Sequence, residues 1–184
     1  MTRSLLVFIY GISRWHIADR YNKPYVLDII DYVNLQKVNI VVEIGCGFCD
    51  IISNLRARKK HGLDSSINVL KAANIYNLLR FKDINFRHFD FLNEKLPRFE
   101  ADVWVLVNWI HEVEGHKLAK KLRRIFDSLN NGGMIIMDTV DSFEYKYKHN
   151  INEIFKDKCF ESKIISNNEK DCRKVYSIVK LYTS

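Results

Sequence analysis

Cysteine, proline and glycine are all scarce in this 184-residue chain, at four, two and seven residues. Four cysteines (Cys46, Cys49, Cys159 and Cys172) do not make a disulfide framework at this length. Cys159 and Cys172 stand 13 residues apart, so Cys46 and Cys49 lack the second close pair of a zinc site, and no metal is expected. No apolar run approaches the roughly 20 residues of a membrane helix, and there is neither an internal repeat nor a linker. With 47% hydrophobic and 28% charged residues, the chain is not disordered or fibrous. Its length suits one α/β core with little to spare.

The stretch Ser4–Ile12 behind Arg3 has the outline of a short signal peptide. It lacks a small-residue cleavage site, and Trp15, Ile17 and Tyr21 continue its apolar pattern. The expected structure is a buried N-terminal helix or lid over residues 1–35, on a cytoplasmic protein with one domain spanning 1–184.

The most informative segment is Val41–Asp50, VVEIGCGFCD. Asn39–Ile44 reads as a parallel strand buried on both faces. Gly45 and Gly47 permit a sharp turn and close approach of a ligand to the backbone. Strand, glycine turn and helix start together make the nucleotide-binding corner of a doubly wound sheet, and Asp64, about 20 residues on, stands where such folds hold ribose hydroxyls. A dinucleotide fingerprint wants glycine at position 50; Asp50 and Glu43 instead bring two carboxylates that would repel a pyrophosphate. A cationic nucleoside without phosphate, such as S-adenosylmethionine, fits that charge.

These residues resemble the class I S-adenosylmethionine-dependent methyltransferases. Glu43-Ile44-Gly45-Cys46-Gly47 is similar to the family's motif I, with Cys49 where a third glycine often stands. His61-Gly62-Leu63-Asp64-Ser65 resembles the segment ending in the ribose-binding acid, and Phe89-Asp90-Phe91 the adenine-contacting loop. Val105–His111 resembles the fourth strand and its following loop; Leu129–Asp138 resembles the glycine turn and fifth strand. The similarity covers roughly residues 38 to 140. It implies a doubly wound, mostly parallel seven-stranded Rossmann-like sheet of order 3-2-1-4-5-7-6, closed by a C-terminal antiparallel hairpin. It also implies methyl transfer, with S-adenosylhomocysteine as product, and a cofactor site of Glu43, Gly45, Cys46, Gly47, Asp64, Ser65, Asp90, Phe91 and Asn108.

Periodicity places helices over Asn22–Val33, from the glycine turn to about Leu55, from Ser65 to about Leu79, over His116–Leu129, and from strand five to about Lys156. Strands fall at Val38–Ile44, Lys60–Leu63, Ile84–His88, Val103–Val107, Met134–Val140, Phe160–Ser166 and Val175–Leu181. Strands alternating with helices imply a parallel sheet.

On the acceptor side, His111 is the best candidate base, since histidine titrates near neutrality, with packing or capping as its bland alternative. Asp138 either orients an acceptor or caps a helix. Asn108-Trp109-Ile110 lacks the prolines of amide-directed relatives. Trp15, His16 and Tyr21 are candidate lid residues, and Trp109 a candidate substrate contact. A small-molecule acceptor is expected, because no substrate domain is inserted. The net charge of +7 raises a nucleic-acid alternative. Against it, Arg56, Arg58, Lys59 and Lys60 fall at the sheet edge away from the ligand side, and the cations of 117–124 occupy the face opposite an apolar stripe. Cys46-Gly47-Phe48-Cys49 keeps a thiol-redox reading open. Negative charge from Glu43 and Asp50 opposes it, and so does the dearth of prolines to sit beside such a site. A non-enzymatic cofactor-binding module is the other alternative.

Overall fold

The computed structural model describes residues 2–18, 20–80 and 82–182, in two compact units, Met1–Glu94 and Lys95–Ser184. In the first unit, the β-branched run Ile40–Ile44 forms β1, with Val41 to Ile44 all buried. It pairs in parallel with β2 (Lys59–Asp64), and β2 pairs in parallel with β3 (Asn85–His88). Helix α1 (Arg3–Ile9) starts at Thr2, whose hydroxyl accepts from the Leu5 amide. Helix α2 (Pro24–Asn34) has proline in its first turn, where a missing amide costs nothing, and buries Tyr25, Val26, Ile29, Ile30 and Val33. Asn22, expected as its cap, lies instead in a 3₁₀ turn, Arg20–Asn22. Helix α3 (Ile67–Leu78) is capped by the Ser66 hydroxyl, which accepts from the Val69 amide.

In the second unit, β4 (Val103–Leu106) is wholly buried and runs parallel to β5 (Met134–Val140). Helix α4 (Gly115–Ser128) lays Leu118, Leu122, Ile125 and Phe126 against the core at helical spacing. After the short helix α5 (Ile151–Ile154), β6 (Phe160–Asn168) and β7 (Arg173–Lys180) form an antiparallel hairpin, with β7 antiparallel to β5. The strand order is β3-β2-β1-β4-β5-β7-β6, so the expected α/β fold, strand order and closing hairpin are borne out. Among the described residues no helix is long and apolar enough to cross a membrane.

Two expected helices are not there. After the glycine turn only Ile52–Asn54 is helical, as one 3₁₀ turn. Glu43 captures the Ile52 amide at 3.1 Å, and the Asn54 side chain donates to the Asp50 carbonyl; these bonds replace a helical ladder. From 141 to 156 only α5 is regular. The Tyr147 amide donates to the His111 carbonyl, and the His149 ring lies 2.9 Å from the Ile110 carbonyl oxygen. Groups that a helix would use along its own axis are committed to another loop.

Candidate active site

In the first unit, Gly45 and Gly47 adopt φ of 71° and 52°, the left-handed region open to glycine. The Gly45 and Cys46 amides donate to the Leu63 carbonyl at 2.8 and 3.0 Å, which ties the turn to the end of β2. Asp64 completes the clamp: one carboxylate oxygen accepts from the Gly47 amide at 3.1 Å, the other from the Ser66 amide at 3.0 Å. Cys49 sits at φ 64°, a conformation costing a non-glycine residue about 1–2 kcal/mol. That strain explains why the motif favours glycine there; the buried thiol offsets it. A Cβ on Gly62 would meet the Cys46 and Cys49 sulfurs at 3.1 and 3.4 Å, so β2 needs glycine to seat both thiols.

Burial and mutual hydrogen bonding decide the chemistry of these groups. A hydrogen bond with Cys49 and then burial hold the Cys46 thiol well above its usual range; burial raises Cys49. A redox nucleophile needs the opposite. Glu43 lies beneath the turn, where burial pushes its carboxyl up to about 8. Asp50 forms an ion pair with Arg3, whose guanidinium also donates to the Ala18 carbonyl at 3.0 Å. The two acids expected to repel a pyrophosphate are therefore one protonated group and one neutralised group, which corrects that part of the charge argument.

From the N-terminal segment, His16 as well as Arg3 reaches the turn. A Cβ on Gly47 would lie 3.3 Å from His16 Nδ1, so the imidazole covers the glycine backbone; burial lowers its pKa against the pull of Asp64. Trp15 is 56% exposed, with the Lys23 ammonium 4.9 Å from its ring centroid, and Tyr21 is 68% exposed. Neither behaves as a packed lid residue. Ser65 is exposed, its carbonyl oxygen 3.0 Å from His88 Nε2. Asp90 accepts from the Leu92 and Asn93 amides and from the Asn93 side chain, and Phe91 is buried behind it.

In the second unit, Asn108 follows β4 at φ 77°. Its amide lies 3.1 Å from each oxygen of Asp138, a fully buried residue that forms an ion pair with Arg173. This corrects the direct catalytic expectation for Asp138: its carboxylate is spent on holding the Asn108 turn. Trp109, half-buried, leads into the 3₁₀ turn Ile110–Glu112. The buried His111 ring packs edge-on against Tyr145 at 4.1 Å between centroids. Its Nδ1 has no hydrogen-bond partner among the described residues. Burial first, then the charges of Arg173 and His149, lower its pKa to about 4.

Arg3, Arg173 and Tyr145 escaped the sequence reading. Arg3 and Arg173 meet partners 47 and 35 positions away, which no local spacing announces. One available signal was an arginine directly before an apolar segment, as Arg3 stands before Ser4–Ile12.

A parallel-led sheet with a glycine turn after β1 and an acid ending β2 defines a doubly wound nucleoside-binding class. Residues 21–156 match the O-methyltransferase domain family, and the chain belongs to that family. Among solved structures, it is similar to the N-methyltransferase NodS from Bradyrhizobium japonicum WM9 in complex with S-adenosyl-L-homocysteine, with TM-score 0.73, 11% identity and 98% of each chain covered. A S-adenosylmethionine-dependent methyltransferase from Clostridium acetobutylicum gives TM-score 0.71 and 14% identity over 97% of this chain and 99% of that one. Human N-acetylserotonin methyltransferase gives 0.65 and 13%, covering 97% of this chain and 56% of that one, so the chain spans little more than half of the human protein. No curated protein matches the sequence.

Proposed function

We propose that the protein is an S-adenosylmethionine-dependent methyltransferase that places the methyl group on an oxygen of a small-molecule acceptor. The choice of oxygen is supported by the O-methyltransferase family match; the observation that carries the cofactor is the state of the glycine turn. The amides of Gly45, Cys46, Gly47 and Cys49 are all spent within the chain. A pyrophosphate needs free amides at such a corner; a nucleoside bringing hydroxyls and positive charge needs acceptors. Asp64 supplies them, since a carboxylate can take about four hydrogen bonds and two here are used. Asp64 and Ser65 would hold the ribose, Asp90 and Phe91 the adenine, and Gly45, Cys46 and Gly47 the remainder, while Glu43 holds the turn through the Ile52 amide.

When bound, the cofactor supplies a methyl on a sulfonium. The chain's own task is then to hold an acceptor in line and, for a hydroxyl, to take its proton. His111 keeps an unpartnered ring nitrogen and is our candidate base, though a weaker one than its residue type implied, because burial lowers its pKa to about 4 rather than leaving it near neutrality. Asp138 acts as a positioning residue through Asn108, and Trp109 and His16 are candidate contacts. A nucleic-acid acceptor is disfavoured, because Lys59 and Lys60 begin β2 and so lie at the opposite end of that strand from Asp64.

Asp64→Asn tests the cofactor assignment. It keeps one oxygen for a backbone amide but loses the charge that strengthens bonds from ribose hydroxyls. S-adenosylhomocysteine affinity, measured by calorimetry, is expected to fall about tenfold or more with the fold retained by circular dichroism. Unchanged affinity in the folded variant would remove Asp64 from the site.

A further inference from the structure

The 3₁₀ turn Ile52–Asn54, where a helix was expected after the glycine turn, leaves space beside α3. A cavity of about 370 Å³ lies there, within the first unit, and none of Glu43, Gly45, Gly47, Asp64 or Asp90 lines it. Phe48 and Tyr76 give it aromatic walls, meeting edge to face with ring centroids 5.3 Å apart. Its charge is lopsided. Arg3, Arg80 and Lys82 face a single acid, Asp50, and Asp50 is already taken by Arg3. Arg80 and Lys82 have no carboxylate within ion-pair distance among the described residues.

Two further observations mark the site as unsatisfied rather than merely basic. Arg3 is 8% exposed, yet its Nε has no hydrogen-bond partner among the described residues. The Arg80 guanidinium lies over the neutral Tyr76 ring, 3.7 Å from its centroid. Arg80 and Lys82 follow the C-terminal end of α3, where positive charge complements the helix dipole. That accounts for their sign, and leaves the cavity beside them unexplained.

We propose that this cavity is a second small-molecule site that binds a phosphomonoester carrying an aromatic group. The two uncompensated cations match the charge of about −1.5 to −2 that a phosphomonoester carries at neutral pH. Arginine suits its oxygens through paired donors; Phe48 is only 3% exposed, so the apolar contact for the organic part is the Tyr76 face that Arg80 covers and would uncover on turning to the phosphate. The volume falls within the ordinary range for small-molecule pockets, about 300–1,000 Å³.

The test uses the full chain, with phenyl phosphate and inorganic phosphate as probes in calorimetry, alongside S-adenosylhomocysteine as an independent ligand. Phenyl phosphate is expected to bind more tightly than inorganic phosphate and to weaken as salt rises. Arg80→Gln combined with Lys82→Gln is expected to cut that affinity at least tenfold and leave S-adenosylhomocysteine binding unchanged. Both side chains are exposed, so the variant retains its fold. Amide shift changes on adding phenyl phosphate should centre on residues 76–80 and 82. No binding of phenyl phosphate, binding indifferent to the double substitution, or shift changes centred on 45–64 would each overturn the site. Loss of S-adenosylhomocysteine binding in the unmodified protein would strike the proposed function and leave this site standing.

Discussion

Replacing Arg173 with leucine is expected to lower the unfolding free energy by about 3–5 kcal/mol at neutral pH, the usual cost of stranding one partner of a buried ion pair. Asp138 is fully buried and Arg173 is 4% exposed, so the carboxylate left behind could not be rescued by water. Asp138→Asn combined with Arg173→Leu should cost less than Arg173→Leu alone. Asparagine carries no charge to strand and keeps an oxygen for the Asn108 amide, so the two changes are coupled rather than additive. Urea unfolding of the three variants measures this directly. A loss below about 1 kcal/mol for Arg173→Leu would mean that the pair does not organise the Asn108 turn. The substitution also removes a cation that lowers the pKa of His111, so that pKa should rise, as proton resonances of the ring would report.

Glu43→Gln is expected to change the shape of stability against pH. The folded carboxyl titrates at about 8 against an ordinary value of 4.5. Between those values the folded state keeps a proton that the unfolded state releases. Stability from this group is therefore complete below about pH 4.5 and drains away as pH rises toward 8. The drain amounts to roughly 4 kcal/mol across that window. Glutamine keeps an acceptor for the Ile52 amide and never ionises, so the variant should match the parent near pH 4.5 and exceed it at pH 8. His111 works in the opposite sense. Its folded pKa of about 4 lies below the ordinary 6.5, so its contribution is present above pH 6.5 and lost as pH falls toward 4. That contribution is common to both proteins and cancels in the comparison. Parallel stability curves for parent and variant would contradict the burial assigned to Glu43.

The parts of the fold that were legible are those whose physics is local. Ile40–Ile44 is an apolar run followed by two glycines, and both the strand and the left-handed turn follow from chain stereochemistry. The α4 stripe Leu118, Leu122, Ile125 and Phe126 is readable for the same reason. Illegible parts depend on partners distant in sequence. Glu43 and Asp50 look like free acids until Ile52 and Arg3 are placed against them. The segment 141–156 has helical composition, but Tyr145, Tyr147 and His149 are engaged by the Ile110–His111 turn. The candidate site divides the same way. Gly45, Gly47 and Asp64 fall together as their spacing implies, whereas the commitment of Asp138 to Arg173 required the hairpin strand β7 to be in place. His16 could be named from its segment, but its seat over Gly47 is a tertiary fact.

The central claim is that the turn from Gly45 to Cys49, clamped by Asp64, receives a cationic nucleoside cofactor. Calorimetric titration of the unmodified protein with S-adenosylmethionine, S-adenosylhomocysteine and NAD tests it most directly. The account predicts saturable one-to-one binding of the first two, a rise in melting temperature with each as required of ligands specific to the folded state, and no binding of NAD. Stabilisation by NAD together with indifference to both S-adenosyl compounds would contradict it.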